Sequence, residues 1–196
     1  MQAQHGTGGL AARLRLDAGG ACLNLLATVG WRGVAGVERV ATPAGLATWL
    51  VDAGLLDAKP PAGEQDLEQV RRLREAIYAV VQAARHSLTP AAGAVSVVNT
   101  AAAYPAPQPR LDAGGRTAAR HSDHPIQAAM AVLARDAIDL VTGPDLVRVR
   151  ECDAADCRML FLDTSRGARR RWCSMARCGN RAKARAHAAR ARRPAR

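Results

Sequence analysis

Cys152-Asp153-Ala154-Ala155-Asp156-Cys157, followed after fifteen residues by Cys173-Ser174-Met175-Ala176-Arg177-Cys178-Gly179-Asn180-Arg181, decides how this chain is read. Each cysteine pair encloses four residues, and the span between the pairs has the length of a hairpin. Two such knuckles can bring four thiolates to one tetrahedral Zn²⁺, which favours soft sulfur donors and has no redox chemistry to disturb them. Cys152, Cys157, Cys173 and Cys178 are therefore the expected ligands of one structural Zn²⁺. Disulfides suit small secreted domains. Here the start Met1-Gln2-Ala3-Gln4-His5-Gly6 lacks the basic and apolar segments of a signal peptide, and pairing would leave Cys22 over. A catalytic zinc keeps an open position and normally takes a His or a carboxylate. An iron–sulfur cluster also accepts four cysteines, but this pairwise spacing does not match the clustered ferredoxin runs.

Charge is segregated around the same stretch. Residues 166–196 hold twelve of the 28 Lys and Arg and none of the 17 Asp and Glu, so they carry +12 of a net +11 while residues 1–165 carry −1. So concentrated a field attracts a polyanion in a salt-sensitive way, and beside a metal module it points to nucleic acid. A solvated basic end, an acidic protein or a membrane surface are the alternatives. Arg177, Arg181 and Arg185 recur every four residues and form one helical stripe, with Lys183, His187 and Arg190 on an adjacent face. Together with Arg169, Arg170 and Arg171, the stripe and Lys183 and Arg190 are the candidate nucleic-acid contacts, able to follow phosphates or read guanine. Phe161 and Trp172 alone are few aromatics for stacking on single strands, so duplex DNA is the expected partner. Arginines 169–171, 177 and 181 would also offset the −2 charge of zinc with four thiolates. Gly179 is expected to permit a close backbone approach near the metal, and Asn180 and Arg181 to hydrogen-bond the knuckle.

Helices dominate the rest. The chain is rich in alanine and has only six aromatic residues, which favours helices packed through Ala, Leu and Val. Ala21 to Val29 is a near-continuous apolar run, read as a buried helix with Cys22 and Asn24 in its core. Thr42-Pro43 supplies an N-cap and a first helical residue, Leu46, Trp49, Leu50 and Ala53 keep the helical rhythm, and Gly54 is a stop. Leu67, Val70, Leu73, Ile77, Val80 and Val81 line one face of a helix over Glu64 to His86, with Arg71, Arg72, Arg74 and Glu75 on solvated faces. Thr89-Pro90 is expected to open a helix through Ala102, and Pro125 another through Val141 that Gly143-Pro144 closes. Between them Gly114-Gly115 marks a hairpin turn. His121 and His124 lack a further ligand pattern and read as polar surface or a loop cap. In the last part, Leu146 to Arg150 and Met159 to Leu162 read as two strands, Asp163 to Gly167 as a turn in which Ser165 has no arranged base, and Ser174 as the cap of a basic helix to about Arg192.

The expected fold is mainly α (α+β): a helical N-terminal domain with a small β-hairpin, then a treble-clef-like four-cysteine zinc finger made of a hairpin and a basic helix. Its parts are a flexible 1–9, a helical domain over 10–144, a finger over 145–193 and a basic tail at 194–196. The runs Arg148-Val149-Arg150-Glu151-Cys152, Leu160 to Arg166, Arg171 to Met175 and Cys178-Gly179-Asn180-Arg181-Ala182-Lys183 closely resemble the CGNR zinc-finger family, bacterial proteins described as stress-induced transcription regulators with an N-terminal ABATE domain. Ala21 to Val29 and Glu38 to Leu56 resemble that domain too. The resemblance implies Asp where Asn24 stands and Asn where Ala27 stands, while the following Thr is kept as Thr28. Read together, these features imply a cytoplasmic DNA-binding regulator with a small-molecule or protein effector at its N-terminal domain and no membrane partner. The rival is an RNA- or protein-interaction module whose zinc is purely structural. No paired carboxylates, Ser-His arrangement or phosphate-cradling Gly loop points to an enzyme.

Overall fold

The computed structural model describes residues 14–191; the expected flexible start, 1–9, and basic tail, 194–196, lie outside them. The described residues form six α-helices and three two-stranded antiparallel hairpins, as the mainly α reading requires. Helix α1 (Ala21–Leu26) buries Cys22, Leu23, Leu25 and Leu26. It is shorter than the expected run to Val29 because the buried Thr28 hydroxyl donates to the Leu25 carbonyl at 2.7 Å and the chain turns into hairpin β1–β2 (Val29–Gly30, Val37–Glu38). Asn24 is half-buried, and its side-chain oxygen accepts the Ala18 N–H at 2.9 Å.

Helix α2 (Pro43–Asp52) begins as its sequence dictates. Thr42 Oγ1 accepts the Gly45 N–H at 3.1 Å, and Gly54 beyond the last turn takes φ +70°, where glycine carries no Cβ penalty. Helix α3 (Glu64–Arg85) buries Leu67, Val70, Leu73, Ile77 and Val81, and Asp66 in its first turn accepts the Gly63 N–H at 2.9 Å. One of its arginines departs from the solvated reading. Arg74 is buried and donates to Thr28 Oγ1 (3.0 Å), Glu38 (2.9 Å) and Glu75 (2.8 Å), a satisfied polar network tying α3 to the β1–β2 hairpin. Helix α4 (Ala92–Ala102) starts after Ala91 rather than at Thr89-Pro90, with no side-chain cap. Pro90 biases Thr89 away from helical geometry, so the pair leads into the helix without joining it.

Hairpin β3–β4 (Gln108–Leu111, Ala118–His121) follows, in register from Gln108↔His121 to Leu111↔Ala118. Asp112 closes its turn by accepting from the Thr117 hydroxyl (2.7 Å) and the N–H groups of Arg116 (3.0 Å) and Thr117 (3.3 Å). Helix α5 (Pro125–Thr142) buries an alanine-rich face with Ile126 and Leu133, and Gly143 ends it. A 3₁₀ turn (Pro144–Arg148) then delays the strand expected from Leu146: Pro144 keeps the chain turning, and β5 is Val149–Glu151, paired with β6 (Leu160–Leu162).

Helix α3 packs on α4 and α5, and α1 lies against α5, α3 and β6. The core runs without interruption from Leu23, Trp49 and Ile77 into Met159, Leu160 and Phe161 of the cysteine-bearing segment. Residues 14–20 cross that junction. The Leu162 N–H donates to the Ala18 carbonyl at 2.7 Å, and Gly19, at φ +100°, lies so close to β6 that a Cβ there would come within 2.6 Å of the Leu162 Cβ.

Candidate metal centre

Strands β5 and β6 present the first knuckle. The Cys152 N–H donates to the Met159 carbonyl (2.9 Å) and the Cys157 N–H to the Ala154 carbonyl (2.8 Å), while Arg158 turns the chain at φ +49°. A single π-helical turn, Met175–Gly179, forms the second knuckle: the N–H groups of Cys178 and Gly179 both donate to the Ser174 carbonyl, at 3.0 and 3.1 Å. Ser174 thus serves this turn through its backbone, and its side chain makes no cap. Helix α6 (Asn180–Ala191) leads away from it.

The four cysteine sulfurs, all buried, lie within 4.8 Å of one another, with Cys157–Cys173 at 3.7 Å and Cys173–Cys178 at 3.6 Å. Zn–S bonds of about 2.3 Å in a tetrahedron give sulfur–sulfur edges of about 3.8 Å, so the donors are already spaced for the ion. Hydrogen bonds from Cys152 and Cys157, with the Arg15 guanidinium adding to them, hold Cys173 far below the ordinary thiol range. Bonding to Cys152 pushes Cys157 and Cys178 above it. The cluster is closed, buried and all-sulfur, which fits one structural zinc and leaves no coordination position for a substrate. Zinc bound there would supply a rigid tie between the two knuckles.

Two residues that the sequence reading did not connect with the cysteines complete the centre. Arg15 is buried: its Nη1 donates to Cys173 Sγ at 3.0 Å and Met159 Sδ at 3.2 Å, its Nη2 to the Cys173 carbonyl at 3.2 Å, and its Nε to Asp17 at 2.9 Å. Asp163 is also buried and shapes the turn before the second knuckle, accepting from the Ser165 N–H (2.9 Å) and hydroxyl (2.6 Å) and from the Arg170 N–H (2.8 Å). A polar turn was legible around Asp163. Nothing in periodicity or spacing connects Arg15 with Cys173, 158 positions away.

The candidate cations divide into four groups. Arg170 is engaged within the finger, donating to the Trp172 carbonyl (3.0 Å) and the Cys173 carbonyl and lying over the Phe161 ring at 4.7 Å. Arg171 pairs with Asp153 (2.7 Å), and Arg181 and Arg185 both reach Asp156 (3.0 and 3.2 Å), so the acids of the first knuckle sit against Arg171 and against two arginines of the stripe. Arg169, Lys183 and Arg190 are exposed and have no hydrogen bond or ion pair among the described residues. Arg177 lies in the π turn, half-buried, with a buried Nη1 that has no hydrogen-bond partner among the described residues. Arg181 also approaches Cys178 Sγ at 3.7 Å and the Trp31 ring at 5.7 Å, which brings the β1–β2 loop against the finger. Asn180 is exposed. Gly179 is buried because the Met175 thioether packs where its Cβ would be, 2.6 Å from that position. His121 faces Asp123 at 3.4 Å, and His124 occupies the residue before α5. The cysteines are the one potential metal cluster among the described residues.

A helical domain followed by a buried four-cysteine centre is the architecture of a zinc-finger protein with an N-terminal helical domain. The ABATE family, described as "Putative stress-induced transcription regulator", matches residues 19–144, and the CGNR zinc finger matches residues 148–191. The chain belongs to the ABATE family and carries a CGNR zinc finger after that domain. Neither family is enzymatic by description. No curated protein matches the chain. No described helix is long and apolar enough to cross a membrane.

Proposed function

We propose that this is a cytoplasmic transcription regulator that binds duplex DNA through its finger and α6, and receives an effector at its helical domain. The observation that carries this reading is the acid-free segment 166–196 beside the metal centre, with twelve cations of which Arg166, Arg169, Lys183 and Arg190 are exposed and unpaired among the described residues. Phosphates would meet these first and then compete with Asp153 and Asp156 for Arg171, Arg181 and Arg185. For the effector, a cleft of about 330 Å³ lies between α3, α4 and α5, lined by Gln69, Arg72, Thr100, Tyr104, Gln127 and Met130. That size suits a small molecule.

The test is duplex binding by zinc-loaded full-length protein across a salt series. Binding should weaken linearly in log–log form, and replacing Lys183 and Arg190 by alanine should flatten the slope by about 1 per lost phosphate contact. Footprinting with and without residues 182–196 separates site-specific recognition from general attraction to polyanions. Absence of salt-dependent duplex binding would overturn the reading. The pairing of Arg171 and of two stripe arginines, Arg181 and Arg185, with Asp153 and Asp156 favours a second reading, in which the zinc is purely structural and the finger serves RNA or a protein. Capture dominated by ribosomal or protein partners would support it.

A further inference from the structure

Arg15 is the feature that the metal centre leaves unexplained. It belongs to the segment that precedes α1, yet its guanidinium is 3% exposed and buried against the second knuckle. Four of its contacts run to that site or to its partner acid: Cys173 Sγ, the Cys173 carbonyl, Met159 Sδ and Asp17. Asp17 is 55% exposed, so the one carboxylate available to Arg15 faces water while the sulfur it touches does not. A buried cation of this kind is tolerable only beside a negative charge. Four thiolates on one Zn²⁺ supply it, with a net charge of −2. Without the ion the four sulfurs no longer form one fixed anionic centre, and the settled partners of Arg15 reduce to the Cys173 carbonyl, Met159 Sδ and the water-facing Asp17. The rest of the segment is fixed to the same place, through Ala18 on the β6 backbone and Gly19 against Leu162.

We infer that Arg15 is an outer-sphere partner of the zinc site, and that residues 14–20 form a strap whose docking across the junction and whose contribution to zinc affinity are one equilibrium. Zinc binding tightens the strap on the finger, and the docked strap tightens zinc by the same factor, since such coupling is reciprocal. Metal loading of the finger is thereby communicated to the start of α1, which packs on α3 and α5 of the helical domain. The device is independent of what α6 binds.

The experiment uses the full chain. Zinc affinity is measured by competition with a chromophoric chelator for wild type, Arg15→Ala, Arg15→Lys, Asp17→Asn and a remote charge control, Arg110→Ala on exposed β3. Arg15→Ala should weaken zinc binding about 10- to 100-fold, the usual effect of deleting an outer-shell partner. Arg15→Lys should restore only part of it, because one ammonium cannot serve sulfur, carbonyl and carboxylate together. Arg110→Ala should change nothing. In Co²⁺-substituted protein the thiolate-to-metal charge-transfer band should move in both Arg15 variants and stay in place in Asp17→Asn, a signature that a residue merely propping up the fold would not give. In wild type, hydrogen exchange on zinc removal should show residues 14–20 losing protection together with 152–178. Zinc affinity of Arg15→Ala within about twofold of wild type with an unmoved band, or a strap that stays protected after zinc removal, would overturn the inference. If Arg15→Ala does not fold, Arg15→Lys against Asp17→Asn decides it by the same band.

Discussion

Two glycines show how differently one residue type can matter. Gly19 combines φ +100° with a position 2.6 Å from the Leu162 Cβ for any added Cβ, so Gly19→Ala meets both backbone strain and a fixed neighbour. It should cost about 1–3 kcal/mol in chemical denaturation. Gly179 has ordinary backbone geometry, and its close neighbours are the far atoms of Met175, a side chain 48% exposed and free to swing out. Gly179→Ala should therefore change stability by no more than about 1 kcal/mol, measured the same way. This difference was not legible in the sequence. There Gly179 stood out because it follows a ligand, whereas nothing in the local sequence singled out Gly19. The ligands themselves were legible, since residue type and spacing together specify a tetrahedral sulfur site. Arg15 was not, because its role is set by a contact between distant parts of the chain.

Among the elements, those with a local signal appeared where the chemistry placed them. Thr42-Pro43 starts α2, the apolar face from Leu67 to Val81 runs along α3, and Gly143-Pro144 closes α5. The β1–β2 hairpin had no such signal. Its strands are two residues each, its loop is opened by Trp31 at φ +52°, and it is held largely by the Arg74–Glu38 pairing, a tertiary contact. The opposite case is the β3–β4 turn, which depends on one ionised side chain. The hydrogen bond from Thr117, helped by the Arg116 and Thr117 N–H groups, holds the Asp112 carboxyl below the usual carboxylate range. A lowered folded pKa means that the contribution of Asp112 is fully present above the unfolded value of about 3.9 and is lost as pH falls through the folded one. The Arg116 and Thr117 amide resonances should accordingly titrate with a midpoint below about 3.9, and Asp112→Asn should abolish that titration.

For the molecule as a whole, the metal centre and the helical domain share one buried interior, in which Phe161 and Leu160 sit with Leu23 and Trp49. Structural zinc sites contribute about 10–16 kcal/mol, as much as a domain's entire stability. Chelation at neutral pH should thus lower the thermal midpoint of the whole chain, with exchange protection lost first over 14–20 and 152–178 and α3 holding longest. The charge pattern that singled out the C-terminal part was visible in composition alone, but the acids facing the stripe were not, because Asp153 and Asp156 precede it by many residues and join it only through folding. Helix α6 carries the last consequence. Lys183, Arg185, His187, Ala188 and Arg190 are all exposed, so the twelve-residue rod has no hydrophobic seam along those positions, and a lone helix of that length is near the limit of holding its winding in water. Arg181 and Arg185 stand one turn apart and are held by the Asp156 carboxylate they share, an anchor from outside the helix. Electrolyte loosens that anchor as it weakens the grip on phosphate, so dichroism of the unbound protein should show the rod fraying under the same ionic conditions that release it from a polyanion.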